Sequence, residues 1–236
     1  MTRFRYAPEI LERYPALRGG VLWARGVRGG PTPGPLAERF RAEQRAVRDR
    51  LGQTPLSEVE SLAAWRQAFR GFGVNPTRYR SAAEALLRRL TKKGDIPCVN
   101  LLVDLGNLVS IRYALPVAVL DLRQVAGAVT VGFAAGDEPF TELDSSEVHH
   151  PEPGEVIFTD EARTVHARRW CWRQSAQSAA REDTSEILIT MEAHHPAAEA
   201  EVGAAVADLG ALLDRFAGGE RRAAVLSPAR PRFAAP

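Results

Sequence analysis

Apolar positions recur along this chain with two periods, and the changes of period mark its elements. From Pro35 to Leu51 the residues Leu36, Phe40, Val47 and Leu51 fall on one helical face. A second helix is expected from Ser57, where Ser57-Glu58-Val59-Glu60 fits a capping box; Leu62, Trp65 and Phe69 share its inner face and Gly71 and Gly73 end it. "NPTRYRSAAEALLRRLTKKGD" predicts a third, capped by Ser81 and Glu84, with Ala83, Leu86, Leu87 and Leu90 inward and Gly94 as its stop. "NLLVDLGNLVSIRYALPVAVLD", residues 100–121, carries both periods. Asp104 reads as an N-cap, and Leu105, Leu108 and Val109 form a helical face. Pro116 has no N–H and disfavours helical geometry at Leu115, so the helix ends there. Val117, Val119 and Leu120 suit a strand that Asp121 closes.

Shorter runs read as strands. "GVLWARGV" stands ahead of the breaker-rich loop "RGGPTPGP", and further on come "AVTVGF" (128–133), "EPFTEL" (138–143), "EVIFTD" (155–160), "TVHARRW" (164–170) and "EILITME" (186–192). Gly, Pro and Asp punctuate them, as in a β-rich core with antiparallel pairing. From about Ala197 to Phe216 the helical period returns in Val202, Val206, Leu209, Leu213 and Phe216. The last segment, "AGGERRAAVLSPARPRFAAP", lacks either period and is expected to be disordered.

Composition narrows the picture modestly. At 236 residues the chain can bury a full core, and its 45% hydrophobic and 25% charged residues are those of an ordinary globular protein. A net charge of +2 permits contact with a polyanion without requiring it. Cys98 and Cys171 have no CxxC partners, which fits a reducing compartment, and there is neither a signal-like apolar run at the start nor a stretch near the roughly 20 apolar residues of a membrane span. A cytoplasmic protein is expected. His149-His150, His166 and His194-His195 have no zinc-like spacing, and no Walker loop, dinucleotide fingerprint or GxSxG elbow occurs. No metal and no cofactor are implied.

The order of several short motifs is more specific. Val103, Asp104 and Asn107, then Pro116 and Asp121, then Leu143-Asp144, then Glu192-Ala193 together resemble the B3/B4 domain of the β subunit of bacterial phenylalanyl-tRNA synthetase. Asn75-Pro76-Thr77-Arg78-Tyr79-Arg80, Glu84-Ala85-Leu86 and the run from Arg168 to Arg173 resemble the free-standing proteins of that type. The resemblance spans roughly residues 70–195. It implies an α+β fold with a β-barrel-like, mixed or antiparallel sheet core and flanking N-terminal and C-terminal helices. Residues 1–216 are then one free-standing domain with a helical extension over 1–70, and 217–236 a disordered tail. The chain is too short for the synthetase subunit's other domains.

In the synthetase this domain is the editing site, which hydrolyses tyrosine wrongly esterified to its tRNA. Two departures stand out. Ala118 occupies the position of the family's pocket His, and "ARRWCWRQ" replaces a loop of small residues. Tyrosine specificity is therefore not carried over.

By resemblance Glu192 is the expected catalytic group, orienting the attacking water or holding the substrate ammonium. Arg80, Asn100, Asn107, Ala118, Arg168, Trp170, Trp172 and Arg173 are the expected substrate-binding residues. On a strand Arg168, Trp170 and Trp172 would share one side, an aromatic and guanidinium wall suited to a base and a phosphate. The same residues also fit a Trp core with a solvated Arg face, and Asp104, Asn107 and Asn75 fit cap and turn roles.

The expected function is tRNA binding with hydrolysis of mischarged aminoacyl-tRNA in trans; the alternative is a non-catalytic module for tRNA or an amino-acid-like ligand. The partner is the aminoacylated 3′ end of a tRNA, not DNA and not a membrane, and the oligomeric state stays open. Glu192→Ala and Arg168→Ala are expected to lower deacylation without unfolding, and Trp170→Ala to cost stability as well.

Overall fold

The alternating strand periods sort into two sheets packed face to face. The computed structural model describes residues 1–143 and 145–236. Its larger sheet holds β1 (Thr2–Tyr6), β4 (Val129–Phe133), β7 (Val156–Thr159), β8 (Val165–Arg168), β9 (Arg173–Gln174) and β12 (Arg232–Ala234), in the order β12-β1-β4-β7-β8-β9. The smaller holds β2 (Arg18–Arg25), β3 (Val117–Asp121), β10 (Glu186–Ala193) and β11 (Glu220–Leu226), in the order β11-β2-β10-β3. A separate pair joins β5 (Phe140–Thr141) to β6 (Val148–His149). Neighbours are antiparallel except β1 and β4, which run parallel.

Six helices complete the described chain: α1 (Pro8–Arg13), α2 (Gly34–Leu51), α3 (Glu60–Gly71), α4 (Ala82–Lys93), α5 (Leu101–Tyr113) and α6 (Ala198–Phe216). β10 separates the layers. Its Ile187, Ile189, Met191 and Ala193 pack with apolar residues of α2, α4, α5 and α6, whereas Leu188 packs between the sheets with Trp23, Val131 and Phe158. A strand covered on both faces reads as a nearly continuous apolar run, which is why "EILITMEA" looks as it does. The architecture is α+β, in three layers: helices, four-stranded sheet, six-stranded sheet.

The sheets do not close into a barrel. At the β9 edge the Gln174 side chain donates to the Val119 carbonyl of β3 at 2.8 Å, so a side chain bridges the gap where a backbone ladder would be needed for closure.

Helix starts show which polar residues win as caps. Ser81 caps α4 as expected, accepting from the Glu84 N–H at 3.3 Å, and Gly94 ends that helix in the left-handed region (φ 86°). The cap of α5 is Asn100, not Asp104. Asn100 Oδ1 accepts from the Val103 N–H at 3.0 Å and Nδ2 donates to the Ala180 carbonyl at 3.0 Å. Asp104 lies inside the first turn and accepts from the Val99 N–H at 3.0 Å and from the Thr32 hydroxyl. Ser57 caps nothing, because the chain is already coiled in a 3-10 turn at Leu56–Glu58 and α3 starts at Glu60. Along α5, Gly106 lets the helix approach β3; a Cβ there would stand 2.8 Å from Val119 Cγ2.

The two chain ends depart most from expectation. Residues 1–70 carry more than helices: beside α1, α2 and most of α3 they hold β1 and β2, interior strands of the two sheets. The segment 217–236 is not disordered: β11 pairs with β2, β12 pairs with β1, and Phe233 and Leu226 are buried between the sheets. Its order comes from ladder partners far away in sequence, and its largely exposed β11 has no reason to alternate. Asp144, half of the Leu143-Asp144 match, lies outside the described residues. Among the described residues no helix is long and apolar enough to cross a membrane.

Phe233→Ala tests the ordered tail. Emptying this site between the sheets is expected to cost about 3–5 kcal/mol in urea unfolding; a disordered tail predicts an unchanged midpoint.

Candidate functional site

The alternation along β10 that sends Ile189 and Met191 to the helices sends Leu188, Thr190 and Glu192 to the other face, toward the six-stranded sheet. A carboxylate is thereby placed between the sheets, 2% exposed. Two donors meet it. Tyr6, at the end of β1, donates its hydroxyl to Oε1 at 2.8 Å, and Trp170 donates its indole N–H to Oε2 at 3.1 Å. Trp65 of α3 donates to the Glu192 carbonyl at 3.1 Å. The residue paired with Glu192 on β2 is Gly19, where any Cβ would collide with the Tyr6 hydroxyl. The glycine makes room for that bond.

Burial pushes the Glu192 pKa up to about 7, against the opposing pull of the Trp170 and Tyr6 hydrogen bonds. Burial and the Glu192 charge raise Tyr6 well above the usual tyrosine range. The Cys171 thiol is raised too, by burial and then by Glu192. His194 lies just past the end of β10, with the rings of Trp65, Trp170 and Tyr14 set edge to face around it. Burial, then the neighbouring His195, pushes its pKa down to about 3, so it is neutral near pH 7.

Trp170 reaches Glu192 because β8 stops early. The strand ends at Arg168, and Arg169 and Trp170 both adopt left-handed backbone, φ 44° and 62°. β9 then pairs back, Arg168 opposite Arg173, so residues 169–172 form a hairpin loop and not the continuous strand expected from sequence. Glu155 fixes the turn. It accepts from Arg168 Nε and Nη2 at 3.0 and 2.8 Å and from the Arg169 N–H at 2.8 Å. Non-glycine residues with positive φ persist only where the surroundings hold them, and this buried ion pair is such a hold.

A cavity of about 60 Å³ lies against Glu192, walled by Ala82, Val117, Ala118, Phe158, Ala167, Trp170, Cys171, Trp172 and Thr190 among others. Ala118 is opposite Thr190 in the ladder, two residues from Glu192 on the same face. Trp172 and Arg173 line this cavity and also an adjoining groove of about 570 Å³. That groove carries Arg78, Arg80, Arg88, Arg89, Lys92 and Lys93, with no carboxylate among its described lining. Arg80 and Arg89 are loosely paired, with Glu84 at 3.7 Å and Asp95 at 3.8 Å. At the junction Trp172 packs edge to face on Tyr79, and Arg169 and Arg173 stand over the Trp172 ring at 4.5 and 4.9 Å.

Comparison with known proteins gives the family and the fold. The family profile described as "B3/4 domain" matches residues 64–207, more than half of the chain. The chain belongs to the B3/4 domain family. The phenylalanine–tRNA ligase beta subunit of Shewanella oneidensis is 28% identical over 106 residues, covering 45% of this chain and 13% of that subunit. The crystal structure of an N-terminal fragment of the phenylalanyl-tRNA synthetase beta subunit from Pyrococcus horikoshii shares the fold: TM-score 0.50, 10% identity, 93% of this chain and 50% of the fragment. The chain thus spans a small part of the one relative and half of the other.

Within this B3/4 domain the expected site residues divide. Glu192, Ala118, Trp170, Trp172 and Arg173 line the one cavity. Arg80 lines the basic groove outside it. Asn100 is a buried cap, and Asn107, half-buried on α5, does not line the cavity. Arg168 faces Glu155 and does not reach the cavity; it is a positioning residue for the Trp170 turn. Tyr6, Trp65, Gly19 and Thr190 were not foreseen. Tyr6 had a signal, since Phe4 and Tyr6 alternate with Arg3 and Arg5. Gly19 had none, because what it admits is a side chain from another sheet.

Two measurements follow. Arg168→Ala leaves the Glu155 carboxylate buried without its bidentate partner and is expected to cost about 3–5 kcal/mol in chemical unfolding; a loss near zero would mean the pair does not hold the turn. The second concerns pH. A carboxyl whose pKa is raised in the folded state binds more protons folded than unfolded. Its contribution to stability is therefore full below about 4.5 and is lost as pH rises to about 7. Glu192→Gln is expected to remove this slope, so that thermal unfolding of the variant falls less than wild type between pH 5 and 8. Parallel curves would mean that burial does not raise the Glu192 pKa above its ordinary value.

Proposed function

We propose that this chain is a tRNA-binding protein that removes a wrongly attached amino acid by hydrolysing the aminoacyl ester in trans. The observation that carries the reading is the continuity of two recesses: a small cavity with the buried Glu192 carboxylate, and a cationic groove that shares Trp172 and Arg173 with it. The names of the two relatives place their proteins with tRNA, and the groove offers what an RNA strand needs first: a run of cations for its phosphates.

The chemistry follows from the groups present. Cys171 lines the cavity, but a thiol with its pKa raised by burial and by Glu192 stays protonated and is a poor nucleophile. Water is the better attacker. Glu192, with a pKa near 7, takes a proton from that water as its oxygen bonds to the ester carbonyl carbon. The ester C–O bond then breaks, the proton passes to the departing ribose oxygen, and free amino acid and tRNA hydroxyl result. An ester is already activated, so positioning can carry much of the rate.

One observation favours the rival, a binding module without turnover: both Glu192 oxygens already accept hydrogen bonds, which can hold the carboxylate as a structural acceptor. Single-turnover deacylation of a panel of mischarged tRNAs separates the two. Glu192→Gln is expected to slow the step about ten- to a hundredfold with tRNA affinity little changed, since the groove is untouched. Reversing Arg88 and Lys92 to Glu is expected to weaken tRNA binding and flatten its dependence on salt. Equal rates for wild type and Glu192→Gln on every member would overturn the catalytic reading.

A further inference from the structure

We propose that the Glu192 cavity is built for a short acyl side chain, of alanyl or seryl size, and excludes an aromatic one. This rests on the reading of that cavity as the acyl site and names its substrate class.

Size is the first argument. About 60 Å³ is room for a few waters. Pockets that take drug-sized ligands run to about 300–1,000 Å³. A methyl or hydroxymethyl group fits beside the carboxylate; a phenol ring does not. Phe158, Trp170 and Trp172 set the limit, and the small Ala118 and Ala82 leave what space there is.

Rigidity is the second. A pocket that is small only because a side chain has swung in can reopen, but Trp170 has no such freedom. It is fully buried, its indole N–H is spent on Glu192, its backbone N–H donates to the Val156 carbonyl at 2.6 Å, and Trp65 and Tyr14 pack on it at 5.2 and 5.0 Å between centroids. The turn that carries it is clamped by the buried Arg168–Glu155 pair. Swinging the Trp170 ring outward would break its packing on Trp65 and Tyr14 and leave Glu192 with one donor fewer. Trp172 is the more exposed wall, half-buried at the mouth and packed there against Tyr79, Arg169 and Arg173.

The third is charge. The ammonium of any aminoacyl group would lie close to its α-carbon, and Glu192 is the carboxylate that lines the cavity. A short side chain lets the ammonium approach it; a long one holds it back at the mouth among Arg173 and its cationic neighbours.

The test uses the full chain and non-hydrolysable 3′-aminoacylamido-adenosines carrying alanyl, seryl or tyrosyl groups, titrated by calorimetry. The alanyl and seryl probes are expected to bind at least tenfold more tightly than the tyrosyl probe, and Trp172→Ala to narrow that ratio by admitting the ring. Tyrosyl binding as tight as alanyl, or binding of none of the three, overturns the proposal. Binding is read apart from turnover. Selective binding with no ester hydrolysed keeps this inference and removes the hydrolytic reading, whereas hydrolysis of tyrosyl-tRNA with weak discrimination does the reverse.

Discussion

Keeping one carboxylate between two sheets organises much of this molecule. An ionised group taken out of water costs several kcal/mol unless it finds partners. Glu192 finds two donors, and each is an indole or phenol brought from a distant part of the chain: Tyr6 from the first strand, Trp170 from a hairpin some twenty residues upstream of the glutamate. Each donor in turn imposes a condition. Tyr6 requires Gly19 on the neighbouring strand, and Trp170 requires two successive left-handed residues and the buried Glu155–Arg168 pair that holds them. The N-terminal strand and the tail that pairs with it therefore belong to the support of the site as much as to the sheet.

The same arrangement gives the site its chemical character. Two hydrogen bonds lower the pKa of a carboxyl, burial raises it, and here burial wins. The result is a group poised near neutrality in a narrow recess, opening beside a groove lined mostly by cations. Buried titratable groups with raised pKa cluster at functional sites, although structural networks produce them too. The adjoining cationic groove is a second feature, independent of that pKa, on which the proposed function rests.

Much of the helical layer was legible from spacing, because one apolar face per helix is a local property; Leu36, Phe40 and Val47, or Leu87 and Leu90, declare it directly. The resemblance placed Glu192 and Ala118 in one neighbourhood, and the ladder from Thr190 to Ala118 agrees. What escaped the sequence depends on partners far along the chain. The tail looks featureless because β11 is mostly exposed and takes its order from β2. Arg168 looked like a ligand because nothing local announces that Glu155 will meet it. The barrel was inherited from the family, and the structure has a bridging glutamine side chain at that edge.

The protonation of Glu192 is the most direct test of this account. A carboxyl-carbon NMR titration of the full chain, with Glu192 identified by comparison with Glu192→Gln, reads it without any substrate. A midpoint near 7 is predicted. A midpoint at the ordinary value of about 4.5 would mean that burial does not outweigh the Tyr6 and Trp170 hydrogen bonds, and the group poised near neutrality would not exist in solution.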